Sequence, residues 1–313
     1  MSSTRIAILG AGPAGMSCAN ALLSFGLEPV VIERSGHLGG IQRTNFHPSL
    51  WMLGAPQETG HEMTERMSRH FLELPIRTYR NTQVARIARG DEGFRLGLVG
   101  PDGAFVLDVA AVVICTGMRA RATPELGDLA AHSERVIIGP LSDTIRDRIR
   151  NHCVLILGGG DNALDHALFL AERGNHAVVC TRQRFSASQQ FQNLCRKQAS
   201  IELREHCIAG TIQPLASKIA VDWARGEELY DWLLVMYGYQ PNIEILDCIE
   251  AGIRPRLTER GFIAADDWQR TGVAGIYAAG DITESPQPSV PTAIAQGLAA
   301  ARAVERQLHD LSA

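Results

Sequence analysis

Two short apolar runs, each followed by a glycine-rich turn and a helical stretch, constrain the fold of this 313-residue chain most. The runs are residues 5–9 and 153–157, and both resemble strands buried in a parallel sheet. The turns are residues 10–15, which fit G-x-G-x-x-G, and residues 158–163, which fit G-x-G-x-x-A. Because strand, glycine turn and helix form the start of a nucleotide-binding unit, we expect an α/β chain with two Rossmann-like units.

The first turn has the residue types that a pyrophosphate requires. Gly10 permits the tight turn, Gly12 lets the backbone approach the phosphates, and Gly15 lets the helix pack against the strand. The helix N-terminus offers amide donors and a positive dipole. The next strand ends in Glu33, eighteen residues after Gly15, where an acid can bond a ribose hydroxyl.

Two distant segments favour FAD over NAD at this first motif. An extended FAD molecule must be lined by residues far apart in the sequence. One apolar run ends in Thr116-Gly117, and another ends in Gly280-Asp281, whose carboxylate suits a ribityl chain. A helix beginning near Pro291 would direct its positive end toward the flavin. An ordinary surface-turn aspartate is the alternative reading of Asp281.

The second motif predicts a nicotinamide nucleotide. The strand after it, residues 176–180, ends in Thr-Arg-Gln-Arg, so no acid stands at the ribose position. An arginine there can pair with a 2′-phosphate, which favours NADPH over NADH, although two solvated arginines are the alternative. The residues expected to hold NADPH are Gly158, Gly160, Asp161, Asn162, Ala163, Arg182 and Arg184.

Composition narrows the class of protein. Apolar residues make up 45% of the chain and charged residues 20%, which is typical of a globular protein. A net charge of −4 gives no reason to expect nucleic-acid binding, and no apolar run is long enough to span a membrane. The seven cysteines are scattered, which argues against a zinc site or disulfide scaffold and favours a reducing cytoplasm.

Two nucleotide sites in one chain of this length leave little room for a third domain. We therefore expect one unit to be inserted into the other. The FAD-binding domain is predicted over residues 1–117 and 242–313, and the NAD(P)H-binding domain over residues 118–241.

With these motifs in this order, the chain resembles the thioredoxin reductase family over nearly its whole length. Residues 234–242, Leu-Val-Met-Tyr-Gly-Tyr-Gln-Pro-Asn, resemble the family's return into the FAD domain. The resemblance implies two three-layer ββα domains, FAD, and a homodimer whose domains can rotate. It also implies FAD contacts at Pro13, Ala14, Arg34, Gly40, Gln42 and Val84. The family's Arg-Gln pair after Gly-Asp is absent, and Pro288-Ser289-Val290 stand in its place, so Ser289 and Val290 are expected to contact the flavin through their backbone.

The departures from that family are informative. Thioredoxin reductases carry a redox Cys-x-x-Cys before the second glycine motif, whereas residues 136–143 contain no cysteine. Because two thiols are needed to pass an electron pair to a protein disulfide, thioredoxin reduction by that route is excluded. The family's H-R-R-x-x-x-R signature survives only partly, in residues 181–184. The thioredoxin-reductase-like ferredoxin–NADP reductases also lack the disulfide, and residues 46–51 resemble their aromatic-proline segment.

The leading hypothesis is an enzyme that passes electrons from NADPH through FAD to a ferredoxin or flavodoxin. It needs no side-chain acid or base, so no catalytic residue is predicted. An acidic carrier would favour basic residues near the flavin, for which Arg43, Arg66 and Arg69 are candidates.

Two alternatives remain open at this level. One is a flavin enzyme that acts directly on a small molecule or a low-molecular-weight disulfide, with Cys18, Cys115 or Cys195 as candidate thiols. The other is a thioredoxin-reductase-like protein without NADPH activity, such as a flavin-bound sensor.

Overall fold

The computed structural model describes residues 5–46, 52–55, 57–140 and 142–312. Of the aromatic-proline segment, residues 47–51 lie outside this range. In chain order the strands are β1 Arg5–Leu9, β2 Glu28–Ile32, β3 Arg77–Tyr79, β4 Gln83–Gly90, β5 Gly93–Gly100, β6 Gly103–Val109, β7 Ala111–Ile114, β8 Met118–Ala120, β9 Val136–Ile138, β10 Cys153–Leu157, β11 His176–Cys180, β12 Ile201–Arg204, β13 Ile212–Pro214, β14 Ile219–Trp223, β15 Gly226–Tyr230, β16 Trp232–Val235, β17 Tyr239–Pro241 and β18 Ile276–Ala278. The α-helices are α1 Pro13–Ser24, α2 Gly60–Glu73, α3 Pro124–His132, α4 Ser142–Arg148, α5 Asp161–Ala171, α6 Gln189–Arg196 and α7 Val290–Ser312. Short 3₁₀ helices span Gly40–Thr44, Ile243–Cys248 and Ala251–Ile253.

The chain forms two compact units. The split unit contains Met1–Arg119 and Pro241–Ala313, and the inserted unit contains Ala120–Gln240. The chain passes from one to the other twice, and strands β8 and β17 at these two passages pair with each other.

The split unit is built on a five-stranded parallel sheet in the order β18-β7-β1-β2-β3. Side chains of β1 alternate between its two faces, because successive residues of a strand point in opposite directions. Ile6 and Ile8 pack with α1 and α7, whereas Ala7 and Leu9 pack with the antiparallel β4-β5-β6 meander. The sheet is therefore buried on both sides, which explains the uninterrupted apolar run.

The inserted unit repeats this arrangement. Its parallel sheet has the order β12-β11-β10-β16-β9, with the strand of the second glycine motif at the centre. Val154 and Ile156 pack with α5 and α6, and Leu155 and Leu157 pack with the β13-β14-β15 meander. The predicted fold class, two Rossmann-like units of three ββα layers, is confirmed.

Helices α1 and α7 cross in close contact within the split unit. A Cβ atom on Gly297 would lie 2.2 Å from the carbonyl oxygen of Ala14, so only glycine fits at this crossing. The Ser17 hydroxyl donates a hydrogen bond of 2.8 Å to the Ile294 carbonyl oxygen and fixes the same contact. Across the described ranges, no helix combines the length and apolar character needed to cross a membrane.

Candidate functional site

The glycine turn after β1 is shaped partly by internal packing. Gly10 has a φ of +107°, and a Cβ atom there would lie 2.4 Å from the Cys115 carbonyl oxygen. A Cβ atom on Gly15 would lie 2.0 Å from the Gly10 carbonyl oxygen. Both distances are shorter than any nonbonded contact of a real Cβ atom, so the turn itself requires these two glycines.

Gly12 differs from its two neighbours in the motif. Its φ is −75°, which any residue adopts, and a Cβ atom there would meet nothing closer than the Gly40 Cα at 3.9 Å. It is the N-cap of α1, has no side-chain cap, and is followed by Pro13 at the first helical position. The protein has no internal need for glycine here, but a pyrophosphate approaching the helix N-terminus does.

The Glu33 carboxylate joins the end of β2 to this turn. One of its oxygens accepts a hydrogen bond of 2.8 Å from the Ala11 amide, and the other accepts one of 2.8 Å from the Ser35 amide. The Ala11 carbonyl in turn accepts a hydrogen bond from the Gly39 amide, which brings the 39–40 segment beside the turn. Each carboxylate oxygen can accept a second hydrogen bond, so Glu33 can hold the turn and a ribose hydroxyl at once.

A cleft of about 250 Å³ lies in the split unit at the carboxyl ends of β1 and β2. Ligands of open α/β sheets bind in this position. The cleft is lined by Leu9, Gly10, Ile32, Glu33, Arg34, Thr82, Gln83, Val84, Thr116, Asn242, Glu244, Ile245 and Cys248.

Asn242 lines the cleft although the sequence did not assign it to the site. Its side-chain nitrogen donates a hydrogen bond of 2.7 Å to the Thr116 backbone carbonyl, and the Thr116 hydroxyl donates one of 3.2 Å to the Asn242 backbone carbonyl. Its side-chain oxygen is buried and has no hydrogen-bond partner among the described residues. Such an acceptor is unfavourable unless a ligand donor or water reaches it.

The cleft gathers five predicted FAD residues: Gly10, Glu33, Arg34, Val84 and Thr116. Thr82, Glu244, Ile245 and Cys248 also line it but belong to no motif. They come from the turn before β4 and from the 3₁₀ helix Ile243–Cys248. No residue spacing in the sequence indicates that these segments meet.

The other predicted FAD residues lie outside that cleft. Ala14 adjoins Gly280, because a Cβ atom on Gly280 would lie 2.8 Å from the Ala14 Cβ. Gly117 has a φ of +62°, and apart from its two chain neighbours no described residue comes within 4 Å of its Cβ position. Gln42, in the 3₁₀ helix that begins at Gly40, accepts a hydrogen bond of 3.1 Å from the Asn45 side chain.

The Gly280-Asp281 pair lies near the start of α7. The Gly280 amide donates a hydrogen bond of 2.9 Å to the Gln296 side-chain oxygen. Ser289 precedes Val290, the first residue of α7, and its hydroxyl accepts from the Thr292 amide at 3.3 Å. Burial raises the pKa of the Asp281 carboxyl. Burial is the one cause of this shift, and no cation among the described residues lowers the pKa in return.

The second glycine turn repeats the first. Gly158 has a φ of +152°, and a Cβ atom there would lie 2.3 Å from the Met236 carbonyl oxygen. The Cβ of Gly160 would approach only the Ser186 hydroxyl, at 3.9 Å. The first glycine is again required by the turn, and the second again leaves space in front of a helix N-terminus. Ala163 is fully buried, which brings α5 close to the sheet.

A larger cleft, of about 1490 Å³, lies in the inserted unit in front of this turn. Arg182 and Arg184 are exposed and line it, and the Arg182 guanidinium lies 5.8 Å from the centre of the Tyr237 ring. Arg121 lines the same cleft. Three acids, Glu125, Asp128 and Asp161, line it as well, so the exposed Arg182 and Arg184, and not a net positive wall, are the groups suited to a phosphate dianion.

Two predicted residues of this cleft also stabilise its walls. The Asp161 carboxylate accepts a hydrogen bond of 2.6 Å from the Ser188 amide. The Asn162 side chain donates one of 3.1 Å to the Tyr239 hydroxyl, and burial raises the pKa of that tyrosine. The Gly159 carbonyl accepts from the amides of Ser186 and Ala187, both at 2.9 Å.

Comparison with known proteins decides the family. Residues 4–297 match the family model described as pyridine nucleotide-disulphide oxidoreductase. This chain belongs to the pyridine nucleotide-disulphide oxidoreductase family. It is accordingly a flavin oxidoreductase that uses NAD(P)H.

Individual relatives are distant but span nearly the whole chain. A ferredoxin–NADP reductase from Picrophilus torridus is 24% identical over 97% of this chain and 93% of its own. A 34.2 kDa protein in a rubredoxin operon of Clostridium pasteurianum is 22% identical over 97% and 96%. The crystal structure of Lactococcus lactis thioredoxin reductase matches with a TM-score of 0.81 and 21% identity over 99% of this chain and 100% of that one. This last likeness supports the fold.

Disulfide chemistry in this family requires accessible thiols, and the candidate thiols of this member are buried. Cys18 and Cys195 are 0% exposed and Cys115 is 5% exposed. Burial raises the pKa of Cys18 well above its usual range, that of Cys115 to about 12 and that of Cys195 to about 11. Because the thiolate is the nucleophile, these three cysteines are unsuited to attack a disulfide.

The predicted basic residues near α2 are largely paired with acids. The Arg66 guanidinium binds the Glu58 carboxylate at 2.7 Å, and Arg43 lies 3.7 Å from Glu65. Arg69 is exposed on the same helix. Pairing reduces the attraction that this surface would exert on an acidic partner, so these arginines form a weaker basic patch than the sequence suggested.

Proposed function

We propose that this protein is an FAD-dependent NADPH oxidoreductase that delivers electrons to a ferredoxin- or flavodoxin-type carrier. The observation that carries the proposal is the combination of two nucleotide clefts with the lack of any cysteine in residues 136–143. In this proposal, residues 1–117 and 242–313 are the FAD-binding domain, and residues 118–241 are the NAD(P)H-binding domain.

Four groups of the split unit suit FAD. The space beside Gly12 admits the pyrophosphate, and Glu33 has lone pairs for a ribose hydroxyl. The unpaired Asn242 oxygen can accept a hydrogen bond inside the cleft, and Asp281 can accept from the ribityl chain. When bound, FAD would supply the redox step that converts a two-electron donor into single electrons for a carrier.

The inserted unit suits NADPH. The space beside Gly160 admits the pyrophosphate of this nucleotide. Arg182 and Arg184 follow β11 where NAD-binding proteins place an acid, and no acid stands between them. Both are exposed on the cleft wall, so they can pair with a 2′-phosphate without leaving a buried charge unpaired.

The missing redox thiol pair supports a carrier protein as the electron acceptor. Without a redox thiol pair before β10, electrons have no disulfide to enter at the position used by thioredoxin reductases. The buried Cys18, Cys115 and Cys195 also disfavour a small disulfide as the substrate. The relative named ferredoxin–NADP reductase supports a one-electron carrier. From the thioredoxin reductase resemblance, we also propose a homodimer, which light scattering of the purified protein tests.

Anaerobic titration of the purified protein tests the proposal directly. We expect bound flavin that bleaches with NADPH at lower concentration than with NADH. Added ferredoxin should then make cytochrome c reduction fast, and a reaction without ferredoxin is the control. Bleaching without transfer to ferredoxin or flavodoxin would refute the acceptor but not the cofactors. No bleaching with either nucleotide would refute the NADPH assignment and favour a flavoprotein without that activity.

A further inference from the structure

Two aromatic side chains line the second cleft within the part of the chain that the structure describes, and both are tyrosines, Tyr237 and Tyr239. The Tyr239 hydroxyl accepts a hydrogen bond of 3.1 Å from the Asn162 side chain, which ties this ring to the first turn of α5. The Tyr237 ring lies elsewhere, beneath the Arg182 guanidinium, whose central carbon is 5.8 Å from the ring centre. The two tyrosines therefore serve different parts of the cleft.

The register of the sheet explains how Tyr237 and Arg182 come to flank the glycine turn. Leu157, the last residue of β10, pairs with Cys180 of β11 on one side and with Val235 of β16 on the other. Arg182 and Tyr237 each follow two residues after these partners. Because the three strands are parallel, both residues lie beyond the carboxyl end of the sheet, where a nucleotide binds in folds of this kind.

Tyr237 offers an apolar surface in an otherwise polar part of the cleft. The side chain is half-buried and packs against the core on the meander side of the sheet, so its backbone and ring are supported from within. Burial raises the pKa of its hydroxyl, which is therefore neutral near about pH 7. Ile208, 69% exposed, adds a second apolar side chain to the lining. Such a surface suits the face of a planar base better than it suits a phosphate.

The covalent structure of NADPH connects the arginine with the base. The 2′-phosphate and the adenine are attached to adjacent carbons of one ribose. An arginine that binds the phosphate therefore has the adenine beside it, and the aromatic ring beside Arg182 is that of Tyr237. Tyr239, which is bonded to the first turn of α5, lies on the side where the helix N-terminus receives the pyrophosphate.

We propose that the Tyr237 ring is the platform on which the adenine base of NADPH stacks. Before binding, the exposed Arg182 guanidinium lies over the ring at 5.8 Å, close to the outer limit of about 6 Å for a cation–π contact. A contact this loose is easily exchanged. On binding, the guanidinium turns to the 2′-phosphate and the adenine takes its place over the ring. This inference rests on the proposed function, because it takes NADPH as the ligand of the cleft.

Calorimetric titration of the purified flavoprotein tests the platform with two probes. Adenosine 2′,5′-bisphosphate and ADP-ribose both contain adenine, but only the first has a 2′-phosphate. Tyr237→Leu should raise the Kd of both probes by the same factor, about tenfold, because it removes base–aromatic stacking. Tyr237→Phe keeps the ring and should bind both probes as the wild type does. Arg182→Ala should weaken the bisphosphate and leave ADP-ribose unchanged.

A second measurement places the base without relying on a loss of affinity. The protein is isotope-labelled only in its tyrosine rings and saturated with adenosine 2′,5′-bisphosphate. We expect nuclear Overhauser effects between tyrosine ring protons and the adenine ring protons. They should disappear in Tyr237→Phe, which still binds the probe, and persist in Tyr239→Phe, the matched control from the same cleft. Their absence from the wild-type complex, or their loss in Tyr239→Phe instead, overturns the proposal.

The binding data separate this inference from its alternatives. If Tyr237→Leu weakens only adenosine 2′,5′-bisphosphate, the ring acts by holding Arg182, and the platform is overturned. If it weakens nicotinamide mononucleotide and spares both adenine probes, the ring belongs to the nicotinamide and the platform is again overturned. None of these measurements requires the flavin to be reduced. If NADPH fails to bleach the flavin while both adenine probes still depend on Tyr237, the proposed function fails and the platform stands.

Discussion

The carboxylate of Glu33 accepts a hydrogen bond of 2.8 Å from the Ala11 amide and so ties the end of β2 to the glycine turn after β1. Its second oxygen is engaged with the Ser35 amide. In dinucleotide-binding units, an acid at this position bonds a ribose hydroxyl of the ligand. Here it also maintains the shape of the turn before any ligand arrives.

Replacing Glu33 therefore affects both the fold and the cofactor. In Glu33→Gln, one of the two acceptor oxygens becomes a donor and faces a backbone amide. We expect the free energy of unfolding of the FAD-free protein to fall by about 1–3 kcal/mol, and bound flavin to decrease. Urea denaturation and the ratio of flavin to protein absorbance measure the two effects. If the stability were unchanged while the amount of bound flavin fell, the hydrogen bond to Ala11 would contribute nothing to the turn.

Alanine at Gly12 should separate cofactor binding from folding. Its Cβ would fill the space in front of α1 and meet nothing closer than 3.9 Å, so the protein should fold with a stability change below about 1 kcal/mol. Bound flavin should fall at least about tenfold, because the pyrophosphate needs that space. Gly10→Ala is the control: its Cβ would lie 2.4 Å from the Cys115 carbonyl, and it should lower thermal stability as well. Full flavin content in Gly12→Ala would contradict the assignment.

The two arginines after β11 should distinguish NADPH from NADH. Replacing Arg182 and Arg184 together by alanine removes two guanidinium groups from the cleft wall. We expect the KM for NADPH to rise about tenfold or more, since a charge-assisted bond contributes about 1.5–3 kcal/mol, while the KM for NADH changes little. Arg196→Ala, in the same unit but outside the cleft wall, is the control. Equal changes for both nucleotides would place these arginines away from the 2′-phosphate.

Asp281 should make the FAD-free protein less stable as the pH rises. Burial raises the pKa of its carboxyl in the folded protein, so the folded state resists ionisation more than the unfolded chain does. The free energy of unfolding therefore decreases as the pH rises from the unfolded pKa through the raised native value. Asp281→Asn removes this loss, so it should be more stable than the wild type near about pH 7 and equal to it at about pH 3.

The same substitution should weaken FAD binding, because an amide offers one acceptor oxygen instead of two and lacks the charge that strengthens a carboxylate's hydrogen bonds to the ribityl hydroxyls. Urea denaturation of FAD-free protein at the two pH values and flavin titration together give the test. A substitution that destabilises the FAD-free protein at both pH values would show that Asp281 has a structural partner instead.

The strand, glycine turn and helix at the centre of each unit could be predicted, because each motif lies within one short, continuous stretch of sequence. In β1 and β10 the apolar run, the glycine turn and the helix start follow one another directly, so one short window contains the whole motif. The predicted order of strand, turn, helix and second strand is what the structure shows for both units.

The walls of the clefts could not be predicted in the same way. Thr82 and Cys248 line the first cleft from two segments of unrelated sequence, which a hydrogen bond of 3.2 Å from the Cys248 thiol to the Val84 carbonyl of β4 holds together. The sequence likewise showed Cys180 and Cys207 as distant cysteines. Both line the second cleft, because β11 pairs with β12 and the chain turns back at His206.

The crossing of α1 and α7 also has a consequence for the order in which the chain can fold during synthesis. The first helix packs against the last one at Gly297, and β7 pairs with β18. A ribosome releases about 5–20 residues per second, so the first glycine turn waits many seconds for its neighbours. The inserted unit is contiguous and has its own core throughout that interval. We therefore expect the nascent chain to complete the inserted unit before the split unit.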